Sequence, residues 1–265
     1  MSNPFKTLLA NKALPAGYPV GSWVMSASPL VAEAMGCAGF DWLLLDMEHT
    51  PLDLLGLVHV LQAIAGTQSV PVTRVPWNDT VMVKRVLDAG AQTLMFPFVQ
   101  NAQEAQSAVA ACKYTPEGVR GMAAMSRASR FGTTKDHFKV ANATVSVIVQ
   151  VETPQAMANI EEITTVAGVD SVFMGPGDLS GAMGHVGDLM HPEVVALMAD
   201  GVRRCHRAGK PVGTVGGTPE AVGTYRAAGF DYIACASDLG LMMRNCASVL
   251  SAIRAQDIQI HSQGY

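Results

Sequence analysis

The sequence predicts an α/β protein, a closed (β/α)8 barrel of the TIM type, and three observations predict it. Short β-rich runs recur eight times along the chain. Amphipathic stretches of helical character separate most of them. The runs are rich in Val, Ile, Leu and Met on both faces, the pattern of a parallel sheet covered by helices on each side.

In chain order the runs are PVGSWVMSA from Pro19, FDWLLLD from Phe40, VPVTRVP from Val70 and TLMFPFV from Thr93. VSVIVQVE from Val145, DSVFMG from Asp170, PVGTVGG from Pro211 and DYIACAS from Asp231 complete the set. The intervening helical stretches include VMVKRVLDAGA, residues 102–112, and HPEVVALMADGVRRCHRAG. Eight such units in 265 residues suit one closed barrel better than an open, doubly wound sheet. A dinucleotide-binding sheet is disfavoured further because no G-x-G-x-x-G opens a helix after the first run. The chain is therefore expected to be one domain over 1–265, with an N-terminal segment at 1–18 and a polar tail at 255–265. No internal repeat or low-complexity tract interrupts it.

Hydrophobic residues make up 49% of the chain and charged residues 15%, enough for a large core with apolar surface left over for subunit contacts. A homo-oligomer is expected. The net charge of −4, with lysines and arginines scattered, offers no basic footprint for nucleic acid or an anionic membrane. The N-terminal stretch has too short an apolar piece for a signal peptide or a membrane span, so a cytoplasmic location is expected. The cysteines Cys37, Cys112, Cys205, Cys235 and Cys246 show no C-x-x-C spacing and are read as buried free thiols.

Two connections are long. Between Val99 and Val145 a helix is followed by TPEGVRGMAAMSRASRFGTTKDHF, and PGDLSGAMGHVGDLMHPE follows Gly175. Segments of this kind are usually lids or binding loops.

Barrel active sites are built just beyond the C-terminal ends of the strands. That rule selects Asp46, Glu48 and His49 after the second run, Arg74 at the third, Gln150 and Glu152 at the fifth, and Asp178 after the sixth. A lone carboxylate there is often a helix N-cap, a role open to both Glu152 and Asp178. Together, at one rim, they suit a hard octahedral cation such as Mg2+, Mn2+ or Co2+. His49 reads either as a structural histidine anchored by Asp46 or as a general base tuned by a carboxylate. Arg74, inside an apolar strand, needs an anion: a structural carboxylate or, in bidentate fashion, a substrate carboxylate. The GPGDLSG turn adds backbone N–H groups that suit an anion. A Schiff-base mechanism is disfavoured, since Lys6, Lys12, Lys84, Lys113, Lys135, Lys139 and Lys210 all fall outside the predicted mouth.

FDWLLLDMEHTP, TRVPWND, LDAGAQTLMFPFVQNAQEA, GVRG, VQVET and VFMGPGDLSGAMGH, in this order from about Gly21 to Ile253, resemble the class II pyruvate-dependent aldolases. The resemblance implies a phosphoenolpyruvate/pyruvate-type barrel that cleaves 4-hydroxy-2-oxo acids to pyruvate and an aldehyde through a metal-stabilised enolate. The expected substrate is 4-hydroxy-2-oxoheptane-1,7-dioate, in aromatic catabolism, with 2-dehydro-3-deoxyglucarate- or rhamnonate-type sugar acids as the alternative. It further implies Glu152 and Asp178 as metal ligands and Arg74 as carboxylate clamp. His49 would be the base, Gln150 a support of the metal shell, and Gly177 and Asp178 part of the substrate site. Asp46 and Asp88 would partner the histidine, Asp88 by reaching a neighbouring subunit's site. Members form hexamers, trimers of dimers, with the eighth helix exchanged between subunits. Met47 and Gly177 depart from the family's usual small residue and alanine, and Met47 is expected to reshape the aldehyde side. Competing readings are a malyl or citramalyl thioester lyase, a phosphate-binding isomerase using Gly216 and Gly217, and a non-catalytic scaffold.

Overall fold

The computed structural model describes residues 3–11 and 13–254 of the chain. All eight expected runs form strands: β1 (Val20–Val24), β2 (Trp42–Asp46), β3 (Val70–Arg74), β4 (Thr93–Phe96), β5 (Ser146–Val151), β6 (Ser171–Met174), β7 (Val212–Val215) and β8 (Tyr232–Ser237). Each pairs in parallel with the next, and β8 closes on β1, so the sheet is a barrel with no free edge. The seam is irregular, with a register shift between Gly21 and Trp23.

One helix precedes the first strand and the others follow the strands. They are α1 (Pro4–Ala10), α2 (Pro29–Cys37), α3 (Leu54–Ile64), α4 (Thr80–Asp88), α5 (Ala102–Cys112) and α6 (His137–Thr144), then α7 (Pro154–Ala158), α8 (Ile160–Thr164), α9 (Pro176–Ala182), α10 (Pro192–Arg207), α11 (Pro219–Ala228) and α12 (Asp238–Arg254). Their starts are chemically marked. Asp53, Asp79, Asn101, Thr153 and Thr218 each accept a hydrogen bond from a first-turn N–H of α3, α4, α5, α7 and α11. At α5, Glu104 reaches back to Gln100 N (2.8 Å) and completes a reciprocal cap.

Strand alternation sorts the core into two layers. Leu43, Leu45, Val147, Val149 and Val151 pack outward against the helices. Trp42, Leu44, Val72, Met95, Ile148 and Phe173 fill the barrel interior. At the N-terminal end the interior is plugged by aromatic rings, with Phe5 of α1 edge-on to Trp42 (6.2 Å) and Tyr232 (5.3 Å). Gly21 and Gly213 make room for these rings, because a Cβ on either would lie 2.1 Å from Trp42 or Tyr232. Asn3 caps α1 and donates to Gln92 O and Thr144 O, both 2.9 Å, which seats the plug. The expected N-terminal segment thus contains a helix that finishes the core.

The 113–145 connection is not a lid over this chain's own mouth. It follows α5, which runs antiparallel to the strands, so it begins at the N-terminal end of the barrel and stays there. A short 3-10 turn (Arg127–Ser129) and α6 give it structure. The connection after α9 lies on the mouth side, where His185 stacks on His191 (3.5 Å between ring centres) and pairs with Glu193 (3.0 Å).

Within α12 only Asp238 and Ala247 are buried, while Leu239, Leu241, Met242, Met243, Val249 and Ile253 are exposed. All five cysteines are free. The expectation that they are buried holds for Cys112 and Cys205, but Cys37 and Cys246 are exposed because each sits on an outward helix face. No described helix is long and apolar enough to cross a membrane. Lys12 and the expected polar tail from residue 255 lie outside the described residues.

Candidate active site

At the mouth the inward-facing positions change from apolar to charged. Asp46 ends β2 and is the register neighbour of Arg74 at the end of β3, so both side chains enter the barrel side by side. Arg74 Nε donates to Asp46 Oδ1 (2.9 Å) and Nη2 to Oδ2 (2.8 Å), a two-pronged pair with side chains 2% and 0% exposed. Its third nitrogen, Nη1, lies 3.0 Å from Glu48 Oε2. The Trp23 ring lies 5.7 Å from the guanidinium carbon and forms the floor.

This geometry corrects one expectation. The Asp46 side chain holds Arg74, not the His49 ring, and meets His49 through the backbone N–H at 3.5 Å. The reason is strand alternation: Asp46 points inward at the strand end, whereas His49 follows a turn and its side chain is 55% exposed. The carboxylate nearest its Nε2 is Glu48, at 3.8 Å.

Across the mouth, Glu152 follows β5 two residues after Gln150, on the same inward face. It is 2% exposed. Its Oε1 accepts from Phe98 N (2.9 Å), a residue held at φ 58°, and its Oε2 accepts from Gln150 Nε2. Gly175 at the end of β6 makes this possible, because a Cβ there would sit 2.4 Å from Glu152 Oε2. Neither carboxylate is a helix cap. Thr153 caps α7, and Gly175 occupies the N-cap position of α9 with no side-chain bond, leaving Asp178 exposed in its first turn.

The acids strain one another electrostatically. Burial, then the charge of Asp178, pushes the Glu152 carboxyl up to about 7, and Glu48 adds to the rise. Burial also raises Glu48, against the lowering pull of Arg74 and His49. Both carboxyls feel Asp178, so Asp46, Glu48, His49, Arg74, Glu152 and Asp178 form one interacting group. A divalent cation fits this arrangement. It would offset the repulsion between Glu152 and Asp178, and the buried Gln150 Oε1, which has no hydrogen-bond partner, adds another oxygen beside them.

Asp88 lies elsewhere. It ends α4 at the opposite end of the barrel and accepts from Arg120 Nη2 (2.8 Å), so within one chain it does not reach His49. Met47 is also displaced from its expected place: it is 6% exposed and packs in the layer between strands and helices, because it alternates with the inward Asp46. It cannot shape the aldehyde side of its own mouth. Gly177 sits in the first turn of α9 beside Asp178. None of the described lysines is buried, and Lys6, Lys113 and Lys139 are engaged in ion pairs.

Glu48 belongs to the group although its spacing gave it no distinct role. Trp23 and Phe98 were invisible as site residues, since aromatic positions in or after strands read as core. Asp238 is a mouth acid of another kind. It accepts from Met25 N (2.8 Å) and Ser26 N (3.0 Å), tying the end of β8 to the end of β1.

Known proteins resemble this chain over most of its length. It is 51% identical over 238 residues to the 2-dehydro-3,6-dideoxy-6-sulfogluconate aldolase of Pseudomonas putida, covering 90% of this chain and 93% of the relative. It is 41% identical to the 5-keto-4-deoxy-D-glucarate aldolase of Enterobacter sp. (strain 638), with 90% and 92% coverage. Among solved structures, an HpcH/HpaI aldolase/citrate lyase family protein from Burkholderia cenocepacia J2315 superimposes with a TM-score of 0.90 at 39% identity, covering 96% of this chain and 100% of that one. An HpcH/HpaI aldolase from Desulfitobacterium hafniense DCB-2 does so with a TM-score of 0.82 at 26% identity, covering 90% and 93%. The family model described as HpcH/HpaI aldolase/citrate lyase matches residues 20–245. With its closed parallel barrel and acid-rich mouth, the chain belongs to the HpcH/HpaI aldolase/citrate lyase family and is a class II aldolase, a carbon–carbon lyase.

Proposed function

We propose that the protein cleaves a 2-oxo-3-deoxy sugar acid reversibly to pyruvate and a short aldehyde, with a divalent cation held by Glu152 and Asp178. The observation that carries this reading is the buried Glu152, raised by burial and by Asp178, at the end of a strand where neither acid caps a helix. The two similar aldolases are both named for sugar acids, which favours that skeleton over the expected 4-hydroxy-2-oxoheptane-1,7-dioate and leaves aromatic catabolism without support. In both names a keto carbon stands next to a deoxy carbon, the arrangement from which a retro-aldol cleavage leaves pyruvate.

When bound, the cation supplies Lewis acidity at the 2-oxo group and counters the charge of the enolate. Gln150 fixes Glu152 by donating to its Oε2. Asp46 occupies two prongs of Arg74, which fixes the position and orientation of the planar guanidinium. Its Nη1 edge, shared with Glu48, is the part that meets the substrate carboxylate, with Glu48 giving way. The backbone N–H of Gly177 offers the substrate a donor that has no acceptor inside its helix. His49 Nε2, exposed at the rim, takes the proton of the 4-hydroxyl directly or through water.

The apolar face of α12 supports a hexamer, a trimer of dimers in which this helix is exchanged between subunits. Asp88 then serves a neighbour's mouth rather than its own.

Dialysis against a chelator should abolish pyruvate release, and Mg2+, Mn2+ or Co2+ should restore it, the metal that works best being read from the same assay. Full activity in the chelated protein would refute the metal role. A panel of 2-dehydro-3-deoxyglucarate, its 6-sulfo gluconate analogue and 4-hydroxy-2-oxoheptane-1,7-dioate tests the substrate, and a preference for the last would overturn the sugar-acid reading.

A further inference from the structure

At the mouth two aromatic side chains stand in the open. Trp77 follows β3 and is 57% exposed, and Phe98 follows β4 and is 39% exposed. Their rings stack, with centres 6.3 Å apart and planes 30° from parallel. We infer that Trp77 is a positioning residue for Glu152: its ring clamps Phe98 in the left-handed conformation that aims the Phe98 N–H at Glu152 Oε1. This inference rests on Glu152 holding the cation, as proposed above.

The backbone is the first argument. Phe98 sits at φ 58°, a conformation that its Cβ and bulky ring disfavour. The chain on either side is fixed, because Phe96 is in register with Val149 of β5 and Val99 N donates to Gln150 O (3.0 Å). Between those anchors the Phe98 N–H turns toward the mouth and donates to Glu152 Oε1 (2.9 Å). Return of Phe98 to negative φ would rotate this peptide plane and withdraw the N–H. Strained residues persist only where their surroundings over-determine them, so the conformation needs a partner that holds it.

The stack is the second argument, since Trp77 is itself anchored. Asp79 N donates to Trp77 O (2.8 Å) in the turn before α4, and the neighbouring Asn78 Nδ2 donates to Glu104 O (3.0 Å) at the start of α5. The indole therefore offers Phe98 a fixed platform, and stacked rings at this spacing attract each other.

The consequence falls on Glu152. Each of its oxygens has one protein donor, Phe98 N on Oε1 and Gln150 Nε2 on Oε2. Together they stop the carboxylate from rotating about its last bond. Donors that orient a metal-binding carboxylate add to the affinity for the ion, so a relaxed Phe98 should weaken metal binding without touching the metal.

The test is Mn2+ binding, read directly by electron paramagnetic resonance of the free ion, on the wild type, W77A, W77F, F98A, F98G and E152Q. Trp77 and Phe98 are both exposed, so their variants should fold. W77A and F98A should each weaken Mn2+ binding about tenfold. W77F, which keeps a ring for the stack, should restore most of the affinity. F98G should bind more tightly than F98A, because glycine adopts positive φ without a clamp, and adding W77A to F98G should change nothing further. Unchanged affinity in W77A and F98A, with binding lost in E152Q, would overturn the positioning role and leave the metal reading standing. Mn2+ bound equally by E152Q, or not at all by the wild type, would remove the metal reading and this inference with it. Light scattering separates a role in assembly: a W77A protein that dissociates while F98A and F98G bind Mn2+ alike would make Trp77 a subunit contact and overturn the inference.

Discussion

The two ends of the barrel are made from the same eight strands but obey opposite rules. At the N-terminal end the interior is rings on rings: Phe5, Trp42 and Tyr232 fill it, and Gly21 and Gly213 exist to let them in. Further along the same inward rows the interior becomes Asp46, Arg74, Gln150 and Glu152, where burial raises the Glu152 carboxyl and polar groups replace rings. The first layer contributes stability through apolar burial. The second gives stability away, because desolvated charges are costly, and obtains in exchange a preorganised electrostatic site. Dividing these duties along the barrel axis lets the mouth be strained without unfolding the chain.

Substitutions can break that division. The largest effect is expected for Glu152→Gln, which removes a charge while keeping the shape. Pyruvate release should fall about 10^3-fold with little change in Tm, and wild-type turnover in this variant would remove Glu152 from the mechanism. Arg74→Ala should damage both properties at once. Leaving Asp46 buried and unpaired costs on the order of 3–5 kcal/mol in denaturant unfolding, and kcat/KM should drop by about 10^2. Gly175→Ala is a finer probe. Its Cβ displaces the Glu152 carboxylate, so a loss of about 10- to 100-fold in activity is expected from a folded protein, seen by circular dichroism alongside the assay. Phe5→Ala tests the other end, with about 3–5 kcal/mol lost in unfolding and an unchanged kcat below the new midpoint. A matching loss of kcat would show that the two ends are not independent.

The smallest expected effect concerns pH. Burial, with Arg120 adding, lowers the His137 pKa below its ordinary value, while Asp88 opposes the shift. The folded state therefore binds fewer protons here than the unfolded chain. This histidine should make the fold more stable as pH rises through its unfolded pKa, and less stable as pH falls below it. Tm measured across that range should be flatter in His137→Gln than in the wild type, and identical profiles would dismiss the contribution.

Much of the barrel was legible because strand alternation is written locally. LLLD, VTR and VQVE each announce where the chain turns from filler to chemistry, so Asp46, Arg74, Glu152 and Asp178 could be read as one rim. Partnerships were harder. Asp46 lies three residues before His49 in sequence, yet its carboxylate belongs to Arg74 on the next strand, a pairing set by register. Resemblance to the family's motif points Met47 toward the aldehyde side, whereas simple alternation after the inward Asp46 turns it outward. The length and composition of the connection before Val145 suggest a lid or a binding loop. Its position after a helix was the available sign that it returns to the other end.

The sequence by itself determined the number of strands, their order and the acids that end them, because these follow from local hydrophobic period and from where polar residues interrupt it. Tertiary structure alone decided which acid pairs with which base, and how far burial shifts Glu152. It also brought Trp77, Phe98 and Glu152 together from the ends of three strands. Those properties depend on distance and desolvation between residues far apart in the chain, and no local pattern encodes them.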